Sequence, residues 1–479
     1  MRRLTIALLL IAATLPLLAI ADDKPPTTDQ ALELARLWLD AQRSYEEIPG
    51  MSAAIVSDQK LLWSGGSGQA EPALSGGSAR AATADTLYSI CSVSKLFTSV
   101  AVMQLRDEGK LALDDSIAKH LPWFTMKAAE GGREATIIGA LTHSAGLPRE
   151  SDYPYWTGAF DFPTREKIME RVAAQEALYP SDRYFQYSNL GLSLAGEVVS
   201  ARSGKPYEQF IRERILDPLD RDATYPEIPL QEKGKRLAQG FSARRRDGTR
   251  AALPLFQTRG IAPAAGFAST VNDLAKFAMW QFRARDAKSD AVLDPRTLRE
   301  MYRPHFVDPD FETFWGVGFA TWKDGSTVFV GHGGSCRPGF RTAFNLDPEK
   351  KVGVVVMANA NGVNTSRYAK ALYDIVTPAL KKNDADPAAA ALAMYAGSYD
   401  AFPWDGESIV VVWGDGLATI DLPTTEPMKT LERLRKTGEH TFRRVRSDGS
   451  LGETYRFEMG TDGKPAKLWV HSNPYPRMK

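Results

Sequence analysis

The chain has 479 residues, 43% of them hydrophobic and 24% charged, with a formal net charge of +1. At roughly 100–200 residues per domain this is long enough for two or three domains with ample core. Acidic and basic residues are interspersed with no long basic run, which excludes nucleic-acid binding of the usual electrostatic kind.

In chain order, Met1-Arg2-Arg3 precedes an apolar run over 8–20 and the small-residue pattern Ala19-Ile20-Ala21, the three regions of a secretory signal peptide over 1–21. The run holds Pro16 and is short for a span of about 20 residues, so the mature chain is expected to start near Asp22 with no membrane span after signal removal. Its expected location is periplasmic or secreted. A helical stripe over 29–42 follows, with Asp29 as cap, and 51–56 and 61–63 read as paired strands. After a strand-like 87–90, an apolar helix runs over 93–105.

A short helix over 136–142 is stopped at His143-Ser144-Ala145-Gly146-Leu147-Pro148. His143 at such a turn is read as a structural hydrogen-bonding residue rather than a catalytic one. Helices are expected over 163–177, 190–202 and 206–215, and a charged surface excursion over 236–257. Asn189 stands where a helix cap is expected. A helix over 271–282 leads to strands over 316–322, 327–330, 341–346 and 352–358, then to a helix over 366–380. The turn Gly331-His332-Gly333-Gly334-Ser335-Cys336 is dense in glycine, as a strand edge lying close to a ligand requires. Residues 381–387 read as a linker, and 388–479 as an antiparallel β module with Asp-Gly turns at Asp415-Gly416, Asp448-Gly449 and Asp462-Gly463.

Chemistry enters at Ile90-Cys91-Ser92-Val93-Ser94-Lys95, where a hydroxyl and an amine stand one helical turn apart at a helix start. A serine needs a neighbour to take its proton, and helix N–H groups favour developing negative charge. Ser-x-x-Lys alone is weak, with about two expected by chance in a chain of average composition. Ser57 with Lys60 and Ser116 with Lys119 repeat the pattern, but one pair flanks a hairpin turn and the other starts a short surface helix. Only Ser92 opens a long apolar helix.

With Ser92-Val93-Ser94-Lys95, Tyr187-Ser188-Asn189 and His332-Gly333-Gly334 in that order, the chain resembles the serine β-lactamase and penicillin-binding-protein-like hydrolases, specifically the class C β-lactamase, D-alanyl carboxypeptidase and family VIII esterase branch. The likeness covers about 49–380. It implies an α+β fold: an antiparallel sheet built from both ends of a catalytic domain (22–380), flanked by helices, with a mostly helical insertion. The β module after it looks lipocalin-like. The resemblance assigns Ser92 as the acylated nucleophile, Lys95 as its proton-relay partner and Tyr187 as a general base, phenolate beside the lysine. It makes Asn189 a residue that orients substrate or lysine, with His332, Gly333, Gly334 and Ser335 lining the substrate. The backbone N–H groups of Ser92 and Ser335 would form the oxyanion hole. No metal or organic cofactor is implied, and the partner is a small-molecule or peptide substrate.

His332 departs from the lysine common in the family, which weakens the case for a carboxylate-bearing substrate and leaves esters and other amides open; Arg337 is a candidate replacement charge. By the same likeness Cys91 and Cys336 are expected to form a disulfide, the alternative being two buried thiols. The function expected is an exported serine hydrolase cleaving an ester or amide (a D-amino-acid peptide, ester or β-lactam) through an acyl-serine. Alternatives are a catalytically idle receptor for cell-wall fragments and a β-lactamase in the strict sense.

Overall fold

A computed structural model describes residues 24–73, 79–311, 314–380 and 387–478. The expected signal segment 1–21 and residues 381–386 of the expected linker lie outside the described residues. The chain divides into two compact units, the larger comprising Ala31–Leu380 with Asp421–Thr430, and the smaller Lys381–Ile420 and Leu431–Lys479 with the first thirty residues.

The larger unit is built on a nine-stranded sheet. Its strands are β1 (Gly50–Ser57), β2 (Lys60–Glu71), β3 (Arg80–Ala81), β6 (Phe306–Val307), β7 (Phe314–Trp315), β8 (Ala320–Asp324), β9 (Thr327–Cys336), β10 (Phe340–Asp347) and β11 (Val352–Ala358); β4 (Tyr88–Ser89) and β5 (Ala268–Ser269) form a separate pair. The order is β3-β2-β1-β11-β10-β9-β8-β7-β6, so the first long strand pairs with the last, Met51 opposite Ala358 and Ser57 opposite Val352. Every residue of β11 is buried, which is why Val-Gly-Val-Val-Val-Met-Ala shows no polar alternation. Both of its faces are covered, and helices Val271–Asp286 and Thr365–Val376 pack on it. The helix Ser94–Asp107 runs through the core, buried from Ser94 to Leu105. Its Phe97 stacks between Phe267 and Phe277, at centroid distances of 5.0 and 4.4 Å. Full burial of such a side chain stabilises by about 1.5–3 kcal/mol.

Several elements differ from expectation. Of the strand expected over 316–322 only 320–322 is strand, in β8; β7 ends before that range, and a turn at Gly318, whose φ is +79°, lies between the two. A Cβ there would lie 2.1 Å from Ser99 Oγ on the central helix, so the close approach requires glycine. The helix expected over 163–177 is shorter, Arg165–Val172, capped by Thr164. Residues 236–257 are a surface excursion only in part: Leu237 bridges Leu87, the Gln239 N–H donates to Ala70 O (2.8 Å), and the Phe241 N–H donates to Asn359 O (2.9 Å). Leu237, Ala238 and Phe241 are buried, and the basic run Arg244–Arg246 that follows them is exposed.

The smaller unit is an eight-stranded antiparallel meander whose strands follow chain order from Gly397–Asp400 to Asn473–Pro476. Tyr399 bridges Arg477, and the Met478 N–H donates to Ser398 O (2.9 Å), which brings the last strand back to the first in the manner of an up-and-down barrel. Its interior is filled by Tyr395, Tyr399, Leu417, Leu434, Phe442, Phe457 and Leu468. The fold is thus α+β with an appended all-β module.

Candidate active site

Ser92 sits in a tight turn between β4 and the core helix. The residue before it, Cys91, has φ +50°, a conformation uncommon for a residue with a Cβ. It is held by the Ile90 N–H donating to Phe267 O (2.9 Å) and by the Cys91–Cys336 disulfide, with Cα atoms 5.7 Å apart. The expected disulfide is therefore present, tying the nucleophile turn to the end of β9. Next to it, a Cβ on Gly334 would lie 2.3 Å from Ile90 O, so β9 approaches this turn as closely as a backbone can.

Lys95, one turn on, is fully buried. Its Nζ lies 2.8 Å from Asn189 Oδ1, 2.8 Å from Ala264 O and 3.3 Å from Ser92 Oγ. Burial holds the amine well below the usual lysine range, opposed by the Glu150 carboxylate and reinforced by Arg149. The Tyr187 ring centroid lies 4.9 Å from Lys95 Nζ. Burial raises the phenol pKa, against the lowering influence of Ser92 and Arg149.

These directions run against the expected phenolate: desolvation favours the neutral form of each group, whereas a cationic neighbour favours the charged phenol. A neutral amine has two hydrogens for the two carbonyl acceptors and a lone pair for Ser92.

Asn189 is not the helix cap. Ser188 is, its Oγ accepting the Gly191 N–H (2.9 Å), which frees Asn189 at the first position of Asn189–Ser203 to turn inward. Asn189 Nδ2 donates to Glu150 Oε1 (2.7 Å). Glu150 also accepts Trp156 Nε1–H (3.0 Å) and the Tyr155 hydroxyl.

His332 on β9 is 3% exposed and its Nδ1 lies 2.6 Å from Gly333 O. A carbonyl oxygen only accepts, so Nδ1 carries the proton and Nε2, buried without a protein partner, is an open acceptor. Burial pushes its pKa down to about 3, so the ring is neutral at ordinary pH. Gly333 and Ser335 alternate with it on β9, facing outward, and Ser335 pairs with Arg341. The turn joining Ser92 and the strand carrying His332, Gly333, Gly334 and Ser335 thus stand together, with Lys95, Tyr187 and Asn189 around them. Arg337 is exposed, its Nη1 donating to Trp156 O (2.8 Å).

Three contributors were not legible as site residues. Glu150 stands two residues past the helix-ending Gly146-Leu147-Pro148, and that proximity is its only signal. Trp315, whose ring lies 5.5 Å from that of His332 and 6.1 Å from that of Tyr187, carried none. Ala264 contributes only its carbonyl. The decoy pairs fall where expected: Ser57 pairs with Lys60 across the β1–β2 turn, and Ser116 caps a four-residue helix with Lys119 exposed beside Asp115. Among the described residues, no group of three or more His, Cys, Asp or Glu side chains could hold a metal ion, and no helix is long and apolar enough to cross a membrane.

The chain is 26% identical over 382 residues to penicillin-binding protein 4 of Amycolatopsis lactamdurans, covering 75% of this chain and 95% of that protein. It is 27% identical over 312 residues to the D-alanyl-D-alanine-carboxypeptidase/endopeptidase AmpH of Escherichia coli (strain K12), covering 61% and 76%. It is 26% identical to Beta-lactamase-like protein 2 of Dictyostelium discoideum over 69% of this chain, a match that spans 60% of that relative's length. In fold it is similar to the octameric penicillin-binding protein homologue from Pyrococcus abyssi, with a TM-score of 0.63 at 23% identity, covering 94% of this chain and all of the other. Residues 38–377 match the Beta-lactamase family as a whole. That match spans more than half of the sequence, and the chain belongs to the β-lactamase family of serine hydrolases.

Proposed function

We propose that the chain cleaves an ester or an uncharged amide through an acyl intermediate on Ser92. The observation that carries this reading is the Lys95 amine, buried, hydrogen-bonded to two carbonyl oxygens and 3.3 Å from Ser92 Oγ. Ser92 Oγ attacks the substrate carbonyl carbon and its proton passes to Lys95 Nζ. The C–O or C–N bond then breaks, and the leaving alcohol or amine takes a proton from the Tyr187 hydroxyl, which is refilled from Lys95. Water attacks the acyl-serine, the same two groups relay its proton, and Ser92 is restored. The backbone N–H groups of Ser92 and Ser335 are assigned to the developing oxyanion; losing one such donor typically costs about 10²–10³ in rate.

The substrate class rests on His332. A neutral imidazole with an open acceptor meets an N–H or O–H of the substrate and gives a carboxylate no counter-charge. That favours esters and uncharged amides, D-amino-acid amides among them, over β-lactams and peptides ending in a free carboxylate. Export fits the leader-like sequence of 1–21 and the disulfide, which persists in oxidising compartments. A mature N-terminus near Asp22 is the corresponding measurement.

The test is to label Ser92 with a fluorophosphonate, then to compare p-nitrophenyl esters, D-amino-acid amides, a D-Ala-D-Ala peptide and a β-lactam side by side, with Ser92→Ala as blank. Esters and uncharged amides should turn over fastest. Turnover confined to the carboxylate-bearing substrates overturns the substrate class; a Ser92 that cannot be labelled overturns the enzyme in favour of a cell-wall-fragment receptor.

A further inference from the structure

Asn189 is a two-faced group: its amide offers an acceptor on one side and a donor on the other, and the two orientations have nearly the same shape. The difference matters here because of what Lys95 must do. With Oδ1 toward the lysine, Asn189 takes one of the amine hydrogens and leaves the lone pair for Ser92. Turned over, Nδ2 would point its hydrogen at the lone pair and compete for it. The site works in one orientation only.

What holds that orientation is on the other side of Asn189. Glu150 Oε1 lies 2.7 Å from Asn189 Nδ2 and 3.0 Å from Trp156 Nε1, and Oε2 accepts the Tyr155 hydroxyl. A carboxylate has lone pairs and no hydrogens, so it accepts from Nδ2 and would repel Oδ1. Its own rotation is limited by an indole and a phenol, and its side chain is only 18% exposed, with Arg149 Nε 3.4 Å away. We infer that Glu150 is a positioning residue: it fixes the Asn189 amide with its carbonyl toward Lys95, and so aims the Lys95 lone pair at Ser92 Oγ. This rests on the acyl-transfer reading above and adds a residue to it that touches neither substrate nor nucleophile.

The charge of Glu150 gives the role a signature that packing alone lacks. The groups that act on Lys95 are Glu150, Arg149, Tyr187, His143 and His332, and Glu150 is the acid among them, favouring the protonated amine. Glu150→Gln keeps the shape, removes the charge and offers Asn189 a donor as readily as an acceptor. The rate of Ser92 phosphonylation by a fluorophosphonate, measured against pH, reads both effects without a known substrate. Glu150→Gln is expected to lower the limiting rate at least tenfold, within the roughly 10²-fold that a small misplacement of a reacting group can cost. It should also move the acid limb of the profile to lower pH, because a lysine without that acid beside it stays neutral further down. Tyr155→Phe perturbs the same wall but leaves the Glu150–Asn189 contact, and should leave the limb where it is.

An unchanged rate in Glu150→Gln overturns the inference. So does a slower rate with an unmoved acid limb, or a Tyr155→Phe profile that matches that of Glu150→Gln, since either would make Glu150 part of a wall. These outcomes all require a wild-type Ser92 that labels, so they are distinct from failure of the acyl-transfer reading, in which the wild type does not label at all.

Discussion

The His143 ring lies 4.3 Å from that of Tyr187, centroid to centroid, while its Nδ1 accepts the Ser188 N–H at 3.1 Å. One side chain thus holds both the phenol and the backbone that carries it. Burial keeps His143 well below the usual histidine range, so Nδ1 stays an acceptor, and its φ of +61° suits few residue types. His143→Asn tolerates that backbone and offers an oxygen to Ser188, whereas His143→Phe keeps a ring and orphans the N–H. The Phe variant should lose about 1–3 kcal/mol, the cost of an unsatisfied buried donor. The Asn variant should keep more of that stability, and both should label Ser92 more slowly, by thermal melts and probe kinetics. A Phe variant as stable as wild type would leave the hydrogen bond without weight.

Ser92→Ala, Lys95→Ala and Tyr187→Phe should each nearly abolish turnover, and their double variants should be little worse than the singles, because groups that move one proton act as a unit. Lys60→Ala and Lys119→Ala, which change the decoy pairs, should be as active as wild type. Turnover in Ser92→Ala near the wild-type rate would remove the assignment.

How much of this was legible depends on whether the cause is local. The Ser92–Lys95 spacing, the helix it opens and the glycine approach at Gly334 are local, and each is where the sequence suggested. The choice between Ser188 and Asn189 as cap is also local, yet it turned on Glu150 drawing Asn189 inward, which no spacing reports. The sequence suggests a phenolate at Tyr187 because a lysine stands near it; desolvation acts against that, and desolvation is a property of the whole fold. The stretch over 236–257 departs in part from a surface excursion for the opposite reason. A few exposed arginines masked Leu237 and Phe241, whose partners Leu87 and Asn359 lie more than a hundred residues away in the chain.

Acid should weaken the fold by way of the site. An unfolded histidine binds a proton near its ordinary value of about 6.5, whereas folded His332 binds one only near 3. The unfolded state therefore holds more protons between those values, and stability is constant above the window and falls as pH drops through it. His143 acts in the same direction. Each histidine costs at most about 1.4 kcal/mol per pH unit there. Urea melts from pH 7 to 4 should show a shallower decline in His332→Gln than in wild type. Lys95, also depressed, makes the fold less stable as pH falls from the usual lysine range toward its lowered value, so Lys95→Met should be inactive and more stable at pH 7. Parallel declines in wild type and His332→Gln would count against the assignment of the window.

We expect the β module to be dispensable for the chemical step, since each proposed catalytic group lies before Leu380. A chain ending there also lacks Asp421–Thr430, a segment of the larger unit whose Thr424 O accepts the Trp38 Nε1–H at 2.9 Å. Ser92 labelling should persist in the shortened protein, with a lower Tm. A shortened protein that folds and does not label would show that the later residues complete the site.

The disulfide brackets the two proposed oxyanion donors, Cys91 preceding Ser92 and Cys336 following Ser335. Two roles follow from that position and they can be separated. As a cross-link closing 245 residues it restricts the unfolded chain, a stabilisation of about 5 kcal/mol at most on the chain-entropy model. As a tether between the nucleophile turn and β9 it fixes how far apart the two N–H groups stand, and an oxyanion hole depends on that separation. Cys336→Ala removes the link and leaves the backbone at Cys91, with its positive φ, unchanged in sequence. Intact mass with and without reductant should differ by two hydrogens in wild type and not at all in the variant. The variant should melt lower, and at a temperature where it is fully folded it should still label Ser92 more slowly than wild type. Equal labelling rates under those conditions would confine the bridge to stability, and a wild-type mass indifferent to reductant would remove it altogether.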